Sequence, residues 1–227
     1  TGLQYSDRLD IMGTGTLNID ESRQLQLITQ YYKSQGDDDY GLNLGKGFSA
    51  IRGTSTPFVS NGLNSDRIPG TERHLISLQY SDSAFLGQEL VGQVYYRDES
   101  LRFYPFPTVN ANKQVTAFSS SQQDTDQYGM KLTLNSKPMD GWQITWGLDA
   151  DHERFTSNQM FFDLAQASAS GGLNNKKIYT TGRYPSYDIT NLAAFLQSGY
   201  DINNLFTLNG GVRYQYTENK IDDFIGY

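Results

Sequence analysis

The chain has 227 residues, a net charge of -7 and no cysteine. Its length supports a sizeable core without staples; the missing thiols exclude cysteine-ligated zinc, thiolate catalysis and disulfide frameworks; and the acidic balance argues against nucleic acid, whose phosphates demand a basic footprint. Aromatic residues make up 13% of the chain, with 16 Tyr, 12 Phe and 22 Gly, a mixture that favours strands over helices.

Period-two alternation predicts eight strands, at 8–19, 24–35, 72–80, 88–98, 125–135, 142–155, 187–200 and 205–216. Most are near the ~9 to 11 residues of a tilted membrane-spanning β-strand. One face of the first strand carries Leu9, Ile11, Gly13, Gly15, Leu17 and Ile19, and one face of the second carries Leu25, Leu27, Thr29 and Tyr31. The same face continues through Ile76, Leu78 and Tyr80, then Leu90, Gly92, Val94 and Tyr96, then Tyr128, Met130, Leu132 and Leu134. Trp142, Ile144, Trp146, Leu148 and Ala150 follow, and the two alternating runs of LAAFLQSGYDINNLFTLNGGVRYQY close the set with Leu192, Ala194, Leu196, Ser198, Tyr200, Leu208, Gly210, Val212, Tyr214 and Tyr216. None of these positions is charged. The opposite face holds Asp10, Gln26, Gln30, Gln79, Gln93, Lys131, Gln143, Asp149, Gln197, Arg213 and Gln215.

A half-buried soluble hairpin alternates in the same way, so the strands alone leave a soluble β-sandwich open. The connections decide. Short ones at Asp20–Arg23, Ser81–Gly87, Ser136–Gly141 and Asp201–Asn204 alternate with long ones at Gly36–Gly70, Glu99–Asp124 and Thr156–Ser186. Loops beyond ~12 to 15 residues are uncommon in compact soluble domains, whereas outer-membrane barrels pair tight turns on one side with long loops on the other. Tyr80, Trp142 and Tyr200 beside the short turns, and Tyr31, Tyr96, Tyr128, Tyr214 and Tyr216 at the long-loop ends, suit two aromatic belts. The expected fold class is all-β, an antiparallel up-and-down transmembrane barrel segment with a wet interior. The longest apolar run, Leu192 to Leu196, is far too short for a spanning helix, which needs roughly 20 residues.

No catalytic motif emerges. Gly41-Leu-Asn-Leu-Gly45-Lys46 lacks a spacer residue for a phosphate loop and has Gly47 where Ser or Thr must bind magnesium; Gly13-Thr-Gly15 lacks the third glycine of a dinucleotide fingerprint. His74 and His152 fit no zincin motif, no Gly-x-Ser-x-Gly elbow occurs, and Asp37, Asp38 and Asp39 fail the ligand spacing of an EF-hand. The expectation is a protein that is not an enzyme, with no metal site of its own. The loops read instead as a binding surface. Arg102-Phe-Tyr-Pro-Phe-Pro107 packs a cation and aromatics around stiffening prolines, and Phe161-Phe162, Lys176-Lys177, Tyr179 and Arg183-Tyr184-Pro185 give the last long loop similar content. The three long loops carry eight Lys or Arg against seven Asp or Glu, so they are near neutral in an acidic chain and tolerate an anionic ligand. The candidate ligand contacts are Arg102, Tyr104, Phe106, Arg154, Arg183 and Tyr184.

The runs SRQLQLITQYYKSQGDDDYGLNLGKGFSA, ESLRFYPFPTVNANKQVTAF, FFDLAQASASGGLNN and IYTTGRYPSYDITNLAAFLQ, with the ending AFLQ…FTLNGGVRYQYTEN, resemble the TonB-dependent siderophore receptors of enterobacterial outer membranes. The family fold is a barrel of about 22 strands whose lumen a globular plug closes. The resemblance implies that residues 1–227 are a partial barrel, with the plug and the closing C-terminal strands lying outside it. It further implies capture of an anionic iron(III) hydroxamate-citrate chelate by the outer loops and plug, then import when the TonB complex pulls on the plug. Iron arrives ligated by the siderophore, so no cofactor is expected. Outer-membrane lipid would surround the barrel, and bacteriocins or phages often hijack such loops. A passive porin would satisfy the strands equally well, and plug density in the intact protein separates the two.

Overall fold

In the computed structural model the described residues are 5–37, 42–43, 58–59, 70–112, 115–170 and 176–224. The elements in chain order are β1 (Tyr5–Asn18), β2 (Arg23–Asp37), the short β3 (Leu42–Asn43) and β4 (Phe58–Val59), β5 (Gly70–Phe85), β6 (Gln88–Val109), β7 (Val115–Met139) and β8 (Trp142–Phe162). A short helix α1 (Leu164–Ser170), β9 (Lys177–Gly182), β10 (Tyr187–Asn203) and β11 (Phe206–Ile221) complete it. All eight expected strands are present. They form one antiparallel meander in the order β1-β2-β5-β6-β7-β8-β10-β11, with β9 extending the sheet beside β8. The Gly41–Lys46 and Asp38–Asp39 motifs fall almost wholly outside the described residues.

Cross-strand partners share a face of the pleat, so the register tests the expected partition independently of hydropathy. Leu17 faces Leu25, which faces Tyr80, and the same row runs on through Gly92, Leu132, Leu148, Ala194 and Tyr214 without a break. One row along the opposite face joins Thr16, Gln26, Gln79, Gln93, Lys131, Asp149, Ala193 and Gln215. Polar side chains there pair among themselves. Gln93 Nε2 donates to Ser77 Oγ at 2.8 Å, Asn191 Nδ2 to Asp151 Oδ2 at 2.9 Å, and Arg213 lies 2.7 Å from Asp149 Oδ2.

Burial shows what the apolar face is for. Among the described residues the buried apolar side chains are Phe118, Leu134, Phe161, Ala167 and Ala193, too few for the core of a soluble domain this long. Leu148 is 43% exposed, Leu196 47% and Val212 67%, in a continuous apolar sheet face that no other described element covers. An exposed apolar surface of that extent requires another apolar phase to cover it.

The tight turns at one end are built from local chemistry. Asp20 Oδ1 accepts from the backbone amides of Ser22 and Arg23, each at 2.9 Å, while its Oδ2 holds the Arg23 guanidinium. That cation keeps the Asp20 carboxyl well below the usual carboxylate range. Asn203 Oδ1 does the corresponding work for the β10–β11 turn, accepting from Leu205 N at 2.9 Å and Phe206 N at 3.1 Å. The β5–β6 hairpin turns through Leu86 (φ 51°) and Gly87 (φ 77°), so both central residues are left-handed. Glycine bears this freely, but a leucine Cβ crowds the next carbonyl oxygen. Leu86→Asn is therefore expected to stabilise the intact barrel by about 1 kcal/mol, read as an upward shift in the urea midpoint of the refolded protein.

Two glycines on the polar face answer a different need. Tyr95 pairs with Gly129, and Phe195 with Gly147, so that each ring lies flat over a neighbouring strand. A Cβ at Gly147 would stand 2.6 Å from the Phe195 ring and would also press on the Leu132 carbonyl oxygen. Gly147→Ala is expected to lift Phe195 off the wall and to cost about 1–3 kcal/mol of overpacking. A lower temperature for the heat-induced gel-mobility change would reveal it; an unchanged transition would show that the ring is not pinned.

The outer end differs from the sequence expectation. Glu99–Asp124 is not a long loop: β6 and β7 run to 22 and 25 residues, leaving only Asn110–Gln114 between them. Likewise β8 continues to Phe162, and α1 and β9 occupy much of Thr156–Ser186. Pro105 and Pro107 read in the sequence as stiffeners of a loop surface. Past the Gly70/Arg102 pair, however, β6 has among the described residues a partner only in β7, and proline is tolerated on an edge and in a bulge. Pro105 sits inside the register shift between Phe103 and Phe106.

Candidate ligand-binding site

The extended outer ends of β6 to β9 carry the polar face beyond the aromatic positions. Odd-numbered residues of β6 point to that face from Val91 to Phe103, because the pairing with β7 is regular until the shift after Phe103. Phe103 thus stands beside Ser121, and Ser121 beside Gln159. The run Ser119-Ser120-Ser121 reads as loop because it is polar, yet Ser119 and Ser121 are fully buried within β7. Burial of hydroxyls demands partners. Ser119 Oγ accepts from Gln159 Nε2 at 2.9 Å, and Ser121 Oγ accepts from the Arg183 guanidinium.

Arg183 reaches Ser121 because the edge beside β8 is interrupted. Gly182 of β9 pairs with Asn158 and Tyr187 of β10 pairs with Phe155, so Arg183 to Ser186 bulge opposite only two residues of β8. The bulge is tied down where Arg183 N donates to Ser157 O at 3.0 Å. From it the guanidinium lies 5.9 Å from the Phe103 ring and 5.3 Å from the Tyr184 ring, within cation–π range. A stacked pair flanks it on either side along the strands: Phe155 with Tyr187 at 4.8 Å, and Phe161 with Tyr179 at 4.7 Å. Among the described residues no carboxylate lies within ion-pair distance of Arg183. Its remaining donors are available for a carboxylate or hydroxamate oxygen, gripped in the planar fork that only arginine offers.

The six candidate contacts separate. Arg183 and Tyr184 come together with Phe103. Arg154 instead lies on the apolar-face side of β8, two residues beyond His152, paired in register with Asp126 and Asp188. Arg102 is likewise on that outer side, opposite Gly70 and Gln122, by a small hollow of about 70 Å³ shared with Lys33 and Glu72. Tyr104 lies in the β6 register shift and Phe106 is set opposite Ser119; their side chains are outside the described set. Phe103 belongs to the Arg102–Pro107 run but not to the six candidate contacts, and Ser121 is in neither. Extending the odd-numbered alternation of Tyr95, Arg97 and Glu99 by two more steps finds Phe103.

An open antiparallel meander whose outer face is uncharged between the aromatic positions, with a polar inner face and tall strand extensions on one side, is the architecture of an outer-membrane barrel wall. Residues 12–227 match the family model described as TonB dependent receptor-like, beta-barrel, and the chain belongs to that family. It is 99% identical over all 227 residues to a ferric aerobactin receptor of Escherichia coli, of which it spans 31%. It is 39% identical to a rhizobactin receptor of Rhizobium meliloti (strain 1021) over 226 residues, 30% of that protein. The chain thus covers about a third of the length of these relatives. The fold is shared with a ferric citrate transporter in its unliganded form (TM-score 0.63, 16% identity, 94% of this chain and 30% of that one). A copper transporter also shares it (TM-score 0.67, 13% identity, 95% and 30%).

Proposed function

We propose that the chain is a wall segment of an outer-membrane receptor that captures a ferric siderophore, ferric aerobactin, and imports it with energy delivered by the TonB complex. The 99% identity to a ferric aerobactin receptor carries this reading. The site chemistry agrees with it. An iron(III) hydroxamate-citrate chelate is anionic and partly apolar, and Arg183 between aromatic pairs offers a cation with carbon surface on both sides. The polar face then lines the lumen, the apolar face meets lipid, and the strand extensions project outward. Those extensions are also the surface that a bacteriocin or phage would grip.

The test is uptake of radiolabelled ferric aerobactin by cells lacking their own receptor and carrying the intact parent gene, with a ferrichrome-type chelate as competitor. Accumulation that requires TonB and that the competitor does not block is expected. Uptake that persists without TonB would mark a passive porin.

A further inference from the structure

Three serines share the luminal face beside Arg183, and one of them stands apart. Ser119 and Ser121 each have a hydrogen-bond partner. Ser157 is only 3% exposed, yet its Oγ has no partner among the described residues. A hydroxyl buried without a partner destabilises the state that holds it so, and its presence calls for a group that reaches it in another state.

The register says which group. β9 runs beside β8 with Thr181 opposite Gln159 and Gly182 opposite Asn158, and Arg183 N donates to Ser157 O at 3.0 Å, so Ser157 is the β8 residue directly across from Arg183. Ser121 lies one strand farther on. It pairs with Gln159 while Ser157 pairs with Gln123, which makes the two serines diagonal neighbours roughly 7–8 Å apart. The Arg183 side chain therefore passes the hydroxyl opposite its own backbone and bonds a more distant one.

Among the described residues Nη1 is the one guanidinium nitrogen of Arg183 with an acceptor. With one Nη1 hydrogen on Ser121, the second Nη1 hydrogen and Nη2 form a flat end that suits a carboxylate, and Nε–H remains for the wall. Nε is the guanidinium nitrogen nearest the backbone, on the Ser157 side.

We propose that Ser157 is a positioning residue for the chelate. When a carboxylate of the ferric siderophore draws the guanidinium end-on, Nε–H closes onto Ser157 Oγ while Nη1 keeps Ser121, and two wall hydroxyls then fix the plane of the fork. This rests on the receptor reading above and adds a contact made only when the site is filled. Such a contact favours the filled state by the whole of its strength, because the empty state lacks it. Ser121, bonded in both states, does not discriminate between them in this way.

Removal of the Ser157 hydroxyl must then act differently on the two states. The experiment measures ferric aerobactin binding by fluorescence quenching, and the heat-induced gel-mobility transition without ligand, for the intact receptor and its Ser157→Ala variant. Affinity about tenfold weaker than wild type is expected, the size of one charge-assisted hydrogen bond. The unliganded transition should fall at or above the wild-type temperature. In an Arg183→Ala background the same substitution should leave affinity unchanged, because the donor is already gone. A lowered transition would show that the hydroxyl has a partner in the empty receptor, and a loss of affinity that persists beside Arg183→Ala would show that it acts through another group; either result overturns the proposal. Wild-type quenching with an unchanged Ser157→Ala overturns it and leaves the receptor reading standing. No quenching of the wild type by ferric aerobactin removes both.

Discussion

Leu148→Arg in the intact receptor is expected to cost about 2–4 kcal/mol of barrel stability, the depth-dependent penalty for a cation on the lipid face near the bilayer midplane. Leu148 lies between Trp142 at the short-turn end and His152 at the outer end, in the uninterrupted row from Leu17 to Tyr214. An arginine there must snorkel past Ala150 or carry water inward. Its matched control is Gln197→Arg, one strand away on the opposite face, where the side chain meets an aqueous interior; surface changes of that kind usually stay within ~0.5 kcal/mol. Urea unfolding from lipid vesicles measures both. Equal penalties at the two positions would mean that the faces have been assigned wrongly, and the receptor reading would fall with them.

Much of this architecture was legible from alternation, because in a membrane wall the outward face answers to a single solvent. Every outward position must be apolar or small, so the period-two signal in β1, β2, β5, β10 and β11 is not blurred by packing. The outer ends were not legible for the opposite reason. Beyond the membrane both faces of β6, β7 and β8 meet water or each other, and Ser119 to Gln123 show no hydropathic alternation although all are paired with β8 and all but Ser120 with β6. There the strand is held by its ladder and by side-chain hydrogen bonds, which hydropathy does not record. Arg183 was found because a cation beside tyrosine and proline is conspicuous in any loop. Its partner Ser121 lies 62 residues away in the chain and Phe103 farther still, and only the register brings them together. The separation of Arg102 and Arg154 from Arg183 has the same origin: one-residue parity on a strand decides which side of the wall a cation serves.

That parity gives the second large prediction. Arg183→Ala in the intact receptor is expected to weaken ferric aerobactin binding by about 10- to 100-fold, the loss that follows when a charge-assisted, bidentate-capable contact worth roughly 1.5–3 kcal/mol is removed. Arg183→Lys keeps the charge but loses the fork and the flat stacking surface over Phe103, so it should recover only part of the affinity. Arg102→Ala and Arg154→Ala, on the outward side, should each change affinity by less than about twofold, well below that of one good contact. Fluorescence quenching by the iron chelate reads all four variants in the same preparation. Were Arg102→Ala as damaging as Arg183→Ala, the chelate would have to bind outside the lumen wall, against the strand exteriors. Because Ser121 orients the guanidinium, Ser121→Ala should follow Arg183→Lys in direction, with an effect on affinity and none on the heat-dependent mobility of the barrel. A purely structural role for the Arg183–Ser121 contact would reverse that result, shifting the mobility transition and leaving the affinity as it was.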